Sequence, residues 1–335
     1  MLFINSTAHF LVDALCVTLL LSAGAEGDTL SLAVVLYNTL AFSGQCLVGL
    51  LVDRVKHEMH FDAGAMLLVA LGFALPLPFL LRVCAVGVGN AFFHVAAGTM
   101  TLKTGRGQAR NLGIYVAPGA FGVTLGTYFP QFGGYLAAGL LFCAAAACYF
   151  WPRTPMTLEY RPEAEDNGKP FPLAPILLLT CAVAVRAVGG SAVSFSWKTG
   201  MGAAFLMTAF VFAGKALGGF ICDRIGACKT ALLSVLPAAV CIAFFSGNPA
   251  LSLLGQLLLN FTMPVTLWLM YRAIPGEPAF AFGLAASALW PGTIAGMLFT
   301  LTGPALWCCV IVSFLFGLFA ILYAAKKLHL LKGRE

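Results

Sequence analysis

The stretch Gly49-Leu-Leu-Val-Asp53-Arg54 returns 170 residues later as Gly219-Phe-Ile-Cys-Asp223-Arg224. Each copy lies where a long apolar run ends and the next one begins. An aspartate followed by an arginine is costly in hydrocarbon and well hydrated in water, so each copy predicts a turn at the membrane edge between two spanning helices. The glycine lies one helical turn before the aspartate on the same face, where its small size lets another helix approach closely.

The composition excludes a water-soluble protein. Of the 335 residues, 60% are hydrophobic and 10% are charged, whereas soluble domains carry about 25% charged residues. One span takes about 20 residues, so the chain has room for roughly twelve spans joined by short loops. The net charge of +6 would suggest a nucleic-acid partner in a soluble protein. In a membrane protein the placement of the charges matters more, so we expect lipids as partners and no nucleic acid.

The eleven cysteines lie mostly inside apolar runs, and none forms a C-x-x-C pair. We interpret them as small buried apolar residues and expect no disulfide, metal or cofactor. The chain opens almost directly into an apolar run without a basic segment or a cleavage site, which predicts a retained first helix.

Further landmarks repeat in the same order. Asn90 and Asn260 are also 170 residues apart, and Pro118-Gly119 matches Pro291-Gly292 at an offset of 173. The repeat predicts an all-α membrane protein of twelve helices in two six-helix bundles, over residues 1–152 and 171–335, with a polar linker at 153–170. Each Pro-Gly step interrupts the helical ladder, either to allow bending or to allow close helix packing.

The basic residues predict the orientation. On the twelve-helix map, most of the 19 lysines and arginines fall on one side of the membrane. By the positive-inside rule, we expect a multi-pass protein of the plasma membrane with both termini and the linker in the cytoplasm.

The duplicated turn resembles the loop signature of the major facilitator superfamily of secondary transporters. The second copy, Gly219-x-x-x-Asp223-Arg224-Ile-Gly226-x-x-Lys229, fits the family pattern closely, whereas the first has Val55 or Lys56 where a glycine is usual. The resemblance implies that the acid helps to hold the two halves together on the cytoplasmic side. It assigns gating to both turns, that is, to Gly49, Asp53, Arg54, Gly219, Asp223 and Arg224. The alternative is a capping turn that only fixes the topology.

The helix-4 segment Gly87-x-Gly89-Asn90-Ala91-Phe92-Phe93-His94 resembles the fosmidomycin-resistance-type exporters of the same superfamily.

The predicted spans contain one acid, Asp13, against Arg82, Arg186 and Lys215. An ionised side chain at this depth costs at least about 2.5–3.5 kcal/mol on insertion scales, so each must face a cavity, a partner charge or a ligand. His9 and Asp13 are four residues apart and share one helical face. Asp13 is therefore the predicted proton-coupling group, with a static ion pair to Arg186 or Arg82 as the alternative.

The surplus of interior cations predicts an anionic ligand. Arg82 lies near a helix end, where it could instead reach the interface. His94 and Trp290 could line the pathway or serve only in packing, whereas Asn90 and Asn260 could line it or only hydrogen-bond across helices. The predicted substrate and proton pathway comprises Asp13, His9, Arg186, Lys215, Arg82, His94, Asn90, Asn260 and Trp290.

These features predict a monomeric secondary transporter of a small organic anion or zwitterion, driven by protons or by the substrate's own gradient. No P-loop sequence G-x-x-x-x-G-K-[ST] is present to use ATP. The helix-4 resemblance favours an alternative, a proton-driven exporter of amphiphilic drugs. Two other classes stay open: an intramembrane enzyme, for which His9 with Asp13 lacks a nucleophile or metal motif, and a receptor that transports nothing. We expect no enzyme activity.

Overall fold

The computed structural model describes residues 1–22, 26–105, 107–153, 171–299 and 301–330. This part of the chain contains helices and no strand. The helices of the first half are α1 Leu2–Ser22, α2 Gly27–Asn38, α3 Gln45–Val55, α4 Glu58–Ala74, α5 Phe79–Thr104, α6 Ala109–Val116, α7 Pro118–Tyr128 and α8 Gly133–Phe150. Those of the second half are α9 Leu173–Ser191, α10 Gly200–Ile225, α11 Ala227–Phe245, α12 Pro249–Asn260, α13 Thr262–Ala273, α14 Pro278–Ser287, α15 Leu289–Leu298 and α16 Gly303–Lys327. A π-helical segment, Thr39–Ser43, joins α2 to α3.

Ten helical stretches of the described chain are long and apolar enough to cross a membrane. The other two predicted spans fall short, because α4 has 17 residues and the second is divided into α6 and α7. Large apolar side chains lie on the outer surface, as at Phe3, Tyr135 and Phe142, which are 83%, 80% and 75% exposed. A surface of this kind is stable against lipid, so the chain is a multi-pass integral membrane protein.

Prolines account for three of the helix interruptions. Pro118, Pro264 and Pro291 follow the breaks between α6 and α7, α12 and α13, and α14 and α15. Proline has no N–H for the carbonyl four residues earlier, and its ring crowds that carbonyl. Both predicted Pro-Gly interruptions are thus present as breaks within continuing helical columns.

Glycines set the same close packing in both halves. A Cβ atom at Gly122 would meet the backbone of Phe10, so α7 lies directly against α1. In the second half, a Cβ atom at Gly292 would meet the backbone of Ala184, which places α15 against α9 in the same way. The helices that carry the Pro-Gly steps are therefore closely packed as well as interrupted, and the two halves repeat one arrangement.

The turn after Asp53 is short, because α3 ends at Val55. Helix α4 already begins at Glu58, where Lys103 of α5 lies 2.5 Å from the Glu58 carboxylate. Asp62 is therefore helical and 0% exposed, so the prediction that Asp13 is the single interior carboxylate is wrong. The predicted linker lies outside the described residues except for position 153, and the domain boundaries remain a prediction.

We expect Gly122→Ala to destabilise the fold. The added methyl group would collide with the Phe10 carbonyl, and such overpacking costs about 1–3 kcal/mol. The melting temperature of the purified protein in detergent should therefore fall. Gly134→Ala is the matched control, because a Cβ there would have no neighbour within 4 Å. Equal melting temperatures for the two variants would contradict the packing described.

Candidate functional site

A cavity of about 240 Å³ lies between the two halves. His9 and Asp13 of α1 and His94 of α5 line it from the first half, and Arg186 of α9 and Lys215 of α10 line it from the second. This volume holds several water molecules or a small organic molecule. Most of the remaining wall is apolar, from Phe42, Val116, Val123, Val183, Met263, Leu267, Phe282 and Leu289.

The side chains of His9, Asp13 and His94 meet in one cluster. The two Nε2 atoms of the histidines are 2.9 Å apart. His9 Nε2 lies 3.3 Å from Asp13 Oδ2, and His94 Nε2 lies 3.7 Å from Asp13 Oδ1. The structure thus confirms that His9 and Asp13 share a face of α1, and it adds His94 as a third member.

Backbone carbonyls determine that both imidazoles are protonated at Nδ1, the ring nitrogen that faces away from the cluster. His9 Nδ1 lies 2.9 Å from the Tyr115 carbonyl oxygen, and His94 Nδ1 lies 2.9 Å from the Asn90 carbonyl oxygen. A carbonyl only accepts hydrogen bonds, so both Nδ1 atoms must carry the proton. In the neutral rings both Nε2 atoms are then unprotonated. Their contact at 2.9 Å, beside a carboxylate, requires a proton or another cation between them.

Asn90 orients the cluster from α5. Its amide nitrogen donates to Asp13 Oδ1 at 3.4 Å and to the Tyr37 hydroxyl at 3.1 Å. Asn90 is 0% exposed. The predicted hydrogen bonding of Asn90 across helices is therefore present, and it connects the cluster to α2 through Tyr37.

Gly119 makes room for the cluster. A Cβ atom at this position would collide with Asp13 Oδ2 and His9 Nε2. The Pro-Gly step in the first half therefore determines how closely α7 approaches the ionisable groups of α1.

The positive charges of the two interior cations of the second half are not neutralised by a neighbouring carboxylate among the described residues. Arg186 Nη1 donates to the Thr262 hydroxyl at 3.0 Å. In the described ranges, no carboxylate lies within 4.0 Å of the charged groups of Arg186 or Lys215. The static ion pair considered between Asp13 and Arg186 or Arg82 is absent from these residues. The cavity therefore has a carboxylate with two imidazoles on one wall and two cations on the other.

Four predicted pathway residues do not line this cavity: Asn90, which supports the cluster as described above, and Arg82, Asn260 and Trp290. Arg82 donates to the carbonyls of Gly72, at 3.2 Å, and Phe73, so it caps the end of α4. Asn260 bonds the Gln256 carbonyl in its own helix at 2.8 Å. Trp290 Nε1 donates to the Thr39 hydroxyl at 3.2 Å, which joins the two halves.

Each repeated turn reaches across to the opposite half. The Asp53 carboxylate accepts the backbone N–H groups of Ala279, at 3.0 Å, and Phe280, at 2.7 Å, at the start of α14. The Asp223 carboxylate accepts those of Ala109, at 2.9 Å, and Arg110, at 3.0 Å, at the start of α6. We call these two contacts the aspartate latches. An aspartate satisfies the orphan amides of a helix start and complements its dipole.

The glycine of each turn allows its latch to form. A Cβ atom at Gly49 would lie 2.6 Å from the Ala279 carbonyl oxygen, and one at Gly219 would lie 2.5 Å from that of Ala109. Arg54 and Arg224 are exposed and follow the latches at the helix ends. Both turns thus pack by one geometry, although only the second fits the family pattern closely.

Sequence reasoning missed the groups that support the cluster. Tyr115 receives the His9 hydrogen bond on its carbonyl, and its hydroxyl donates to the His94 carbonyl at 3.2 Å. Tyr37 was missed because its hydrogen bond with Asn90 depends on how α2 and α5 pack. The available signal was the presence of polar side chains within apolar runs, which does not identify their partners.

Similarity to known proteins comes from the fold. No protein-family model matches the sequence, and no curated protein sequence matches it. The outward conformation of FucP, a major facilitator superfamily transporter, superposes with a TM-score of 0.69 at 14% identity over 96% of this chain and 98% of that one. A variant of the Escherichia coli fucose:proton symporter FucP gives 0.68 at 12% over 96% and 98%. A bacterial homologue of the iron transporter ferroportin in its outward-facing state gives 0.61 at 14% over 99% and 98%. The chain therefore has the fold of the major facilitator superfamily transporters.

Proposed function

We propose that the protein is a secondary transporter that moves a small organic anion or zwitterion by alternating access. The observation that carries this proposal is the cavity between the two halves, with Asp13 on one wall and Arg186 and Lys215 on the other. Transport is favoured over an intramembrane enzyme or a receptor because the three solved structures of this fold described above are transporters.

The charges of the cavity support an anionic or zwitterionic substrate. A carboxylate or phosphate placed against Arg186 and Lys215 supplies the counter-charge that the described residues do not provide. Charge-assisted hydrogen bonds to such groups are the strong ones, and a guanidinium can bind a carboxylate with two of them. A zwitterion would also place its cationic group near Asp13. The two walls thus favour a substrate with a negative group.

Proton coupling is assigned to Asp13 with His9 and His94. The two facing Nε2 atoms and the carboxylate form a site whose charge changes with each proton gained or lost. The site lies in the same cavity as the cations that would bind the substrate. A proton there changes the electrostatic attraction for an anion, which is the requirement for coupled movement.

The aspartate latches are assigned to gating at the cytoplasmic end. If consecutive spans run in opposite directions, α3 and α10, which carry the latches, end on the side where α1 begins and α16 ends. By the positive-inside rule, we infer that this end and both termini face the cytoplasm. We also infer that the protein acts as a monomer in the plasma membrane. Breaking the latches would open the cavity at that end.

A second candidate function is the export of amphiphilic drugs. The apolar wall, which includes Phe42, Met263, Leu267, Phe282 and Leu289, favours a lipophilic cation that pairs with Asp13.

A thermal-stability screen distinguishes the two candidates. A ligand that binds only the folded protein raises its melting temperature. We expect small carboxylates or phosphates to stabilise the purified protein and this effect to be lost in Arg186→Gln and Lys215→Gln. Lys198→Gln is the control, because Lys198 is exposed and does not line the cavity. Stabilisation by lipophilic cations alone, lost in Asp13→Asn, would replace the anion proposal with drug export.

We expect Asp13→Asn to uncouple transport from protons. The amide cannot exchange a proton, so uptake of a ligand identified in the screen into proteoliposomes should no longer respond to an imposed pH gradient. Binding of that ligand should remain measurable by its effect on melting. Asp28→Asn is the control, because Asp28 lies in the first turn of α2 and outside the cavity. A wild-type response to the gradient in Asp13→Asn would overturn the assignment.

Hydrogen exchange tests the latches. Asp53→Ala removes the acceptor of the Ala279 and Phe280 amides. Loss of such a cap costs about 0.5–2 kcal/mol, a roughly 2- to 30-fold rise in exchange. If the latches hold the halves together, exchange should also rise at Ala109 and Arg110, which Asp223 caps. Faster exchange confined to Ala279 and Phe280 would show a local helix cap without gating.

A further inference from the structure

The cluster of His9, Asp13 and His94 offers three ligand atoms to one point. One ligand atom from each of the three residues lies within 4.8 Å of the other two. Both imidazoles direct their Nδ1 protons to backbone carbonyls, so both Nε2 lone pairs are available in the neutral rings. Two lone pairs and a carboxylate converging in this way form a site for a cation.

We propose that this cluster binds a divalent first-row transition-metal ion that enters from the central cavity. Metal–nitrogen and metal–oxygen bonds of about 2.0–2.2 Å place neighbouring ligand atoms roughly 3 Å apart in octahedral or tetrahedral geometry. The separations here are 2.9 Å between the imidazole nitrogens and 3.3 Å from His9 Nε2 to Asp13 Oδ2. His94 Nε2 lies farther from Asp13 Oδ1, at 3.7 Å, so coordination by all three side chains would need a small side-chain rotation.

The outer contacts are those of a metal site. A histidine that binds a metal usually donates its other ring N–H to a carbonyl or a carboxylate, which fixes the ring and its tautomer. Here the Tyr115 and Asn90 carbonyls accept these bonds at 2.9 Å. The Asn90 side chain also donates to the Asp13 carboxylate at 3.4 Å. All three ligands are therefore oriented before an ion arrives.

The ligand set indicates the class of ion. Two imidazoles and one carboxylate suit Fe²⁺, Co²⁺, Ni²⁺ and Zn²⁺, whereas Mg²⁺ and Ca²⁺ prefer oxygen ligands alone. The three side chains all line the cavity, so the remaining coordination positions are open to water or to a bound molecule. A Cβ at Gly119 would fall on the ligand atoms of His9 and Asp13, so the glycine keeps this approach open.

Lys215 provides a test of where the ion lies. Its ammonium group lines the same cavity as Asp13 and His94. A dication on the cluster would be repelled by this ammonium group. Removing the lysine charge should therefore tighten metal binding several-fold, and a gain in affinity cannot come from a misfolded variant.

The experiment measures Co²⁺ binding to the full chain, purified in detergent without a histidine tag and freed of metal by a chelator. We expect one Co²⁺ per chain with a ligand-field absorption spectrum of nitrogen and oxygen coordination, and competition by Zn²⁺. His9→Gln and His94→Gln should each lose this ion. The control is the double variant His57→Gln, His60→Gln, because these two histidines are exposed and lie outside the cavity.

The outcomes decide the proposal without reference to transport. Loss of the ion in His9→Gln and His94→Gln, its retention in the control and a tighter Kd in Lys215→Gln would support the site. Absence of stoichiometric Co²⁺ in the wild type would overturn it, and so would loss only in the control or an unchanged Kd in Lys215→Gln. In those cases the imidazoles hold a proton alone, and the anion screen still tests the proposed transport independently.

Discussion

The arrangement of the two halves depends on satisfying backbone amides at helix starts. The first N–H groups of α14 and α6 have no partner within their own helices, and the carboxylates of Asp53 and Asp223 accept them from the opposite half. Such groups are expensive to leave unsatisfied away from water. The close approach permitted by Gly49 and Gly219 brings each carboxylate within reach. Because the halves meet in this way, a cavity is enclosed between them.

The two halves of the protein contribute groups of different charge to the cavity. The first half contributes a carboxylate and two imidazoles, and the second contributes a guanidinium and an ammonium group. Oppositely charged groups would normally pair at short range in a medium of low dielectric, yet Asp13 and Arg186 form no ion pair in the described structure. The Asn90 amide and the two histidines hold Asp13, and the Thr262 hydroxyl holds Arg186. The separation keeps both signs of charge available to whatever enters.

The sequence predicted the features that arise from local composition and from repetition. The membrane spans, the helix breaks at Pro118 and Pro291 and the equivalence of the two turns follow from apolar length, proline chemistry and matched spacing. The burial of Asp62 was not predictable in this way, because its position four residues after Glu58 suggested a polar turn. His94 was predicted to line the pathway, but its contact with His9 was not, since the distance between the two rings depends on how α1 and α5 pack. Partners such as the Tyr115 carbonyl left no sequence signal.

The latches also explain why so short a motif can encode an interface between two bundles. On one side of each contact the chain must supply a glycine and an aspartate, whereas on the other side it supplies only backbone N–H groups. Any residue except proline offers that N–H, so the receiving positions Ala279, Phe280, Ala109 and Arg110 can vary in side chain without losing the bond. Only the glycine and aspartate side of each contact therefore depends on residue type. Substitutions at the receiving positions, proline excepted, leave the hydrogen bonds intact.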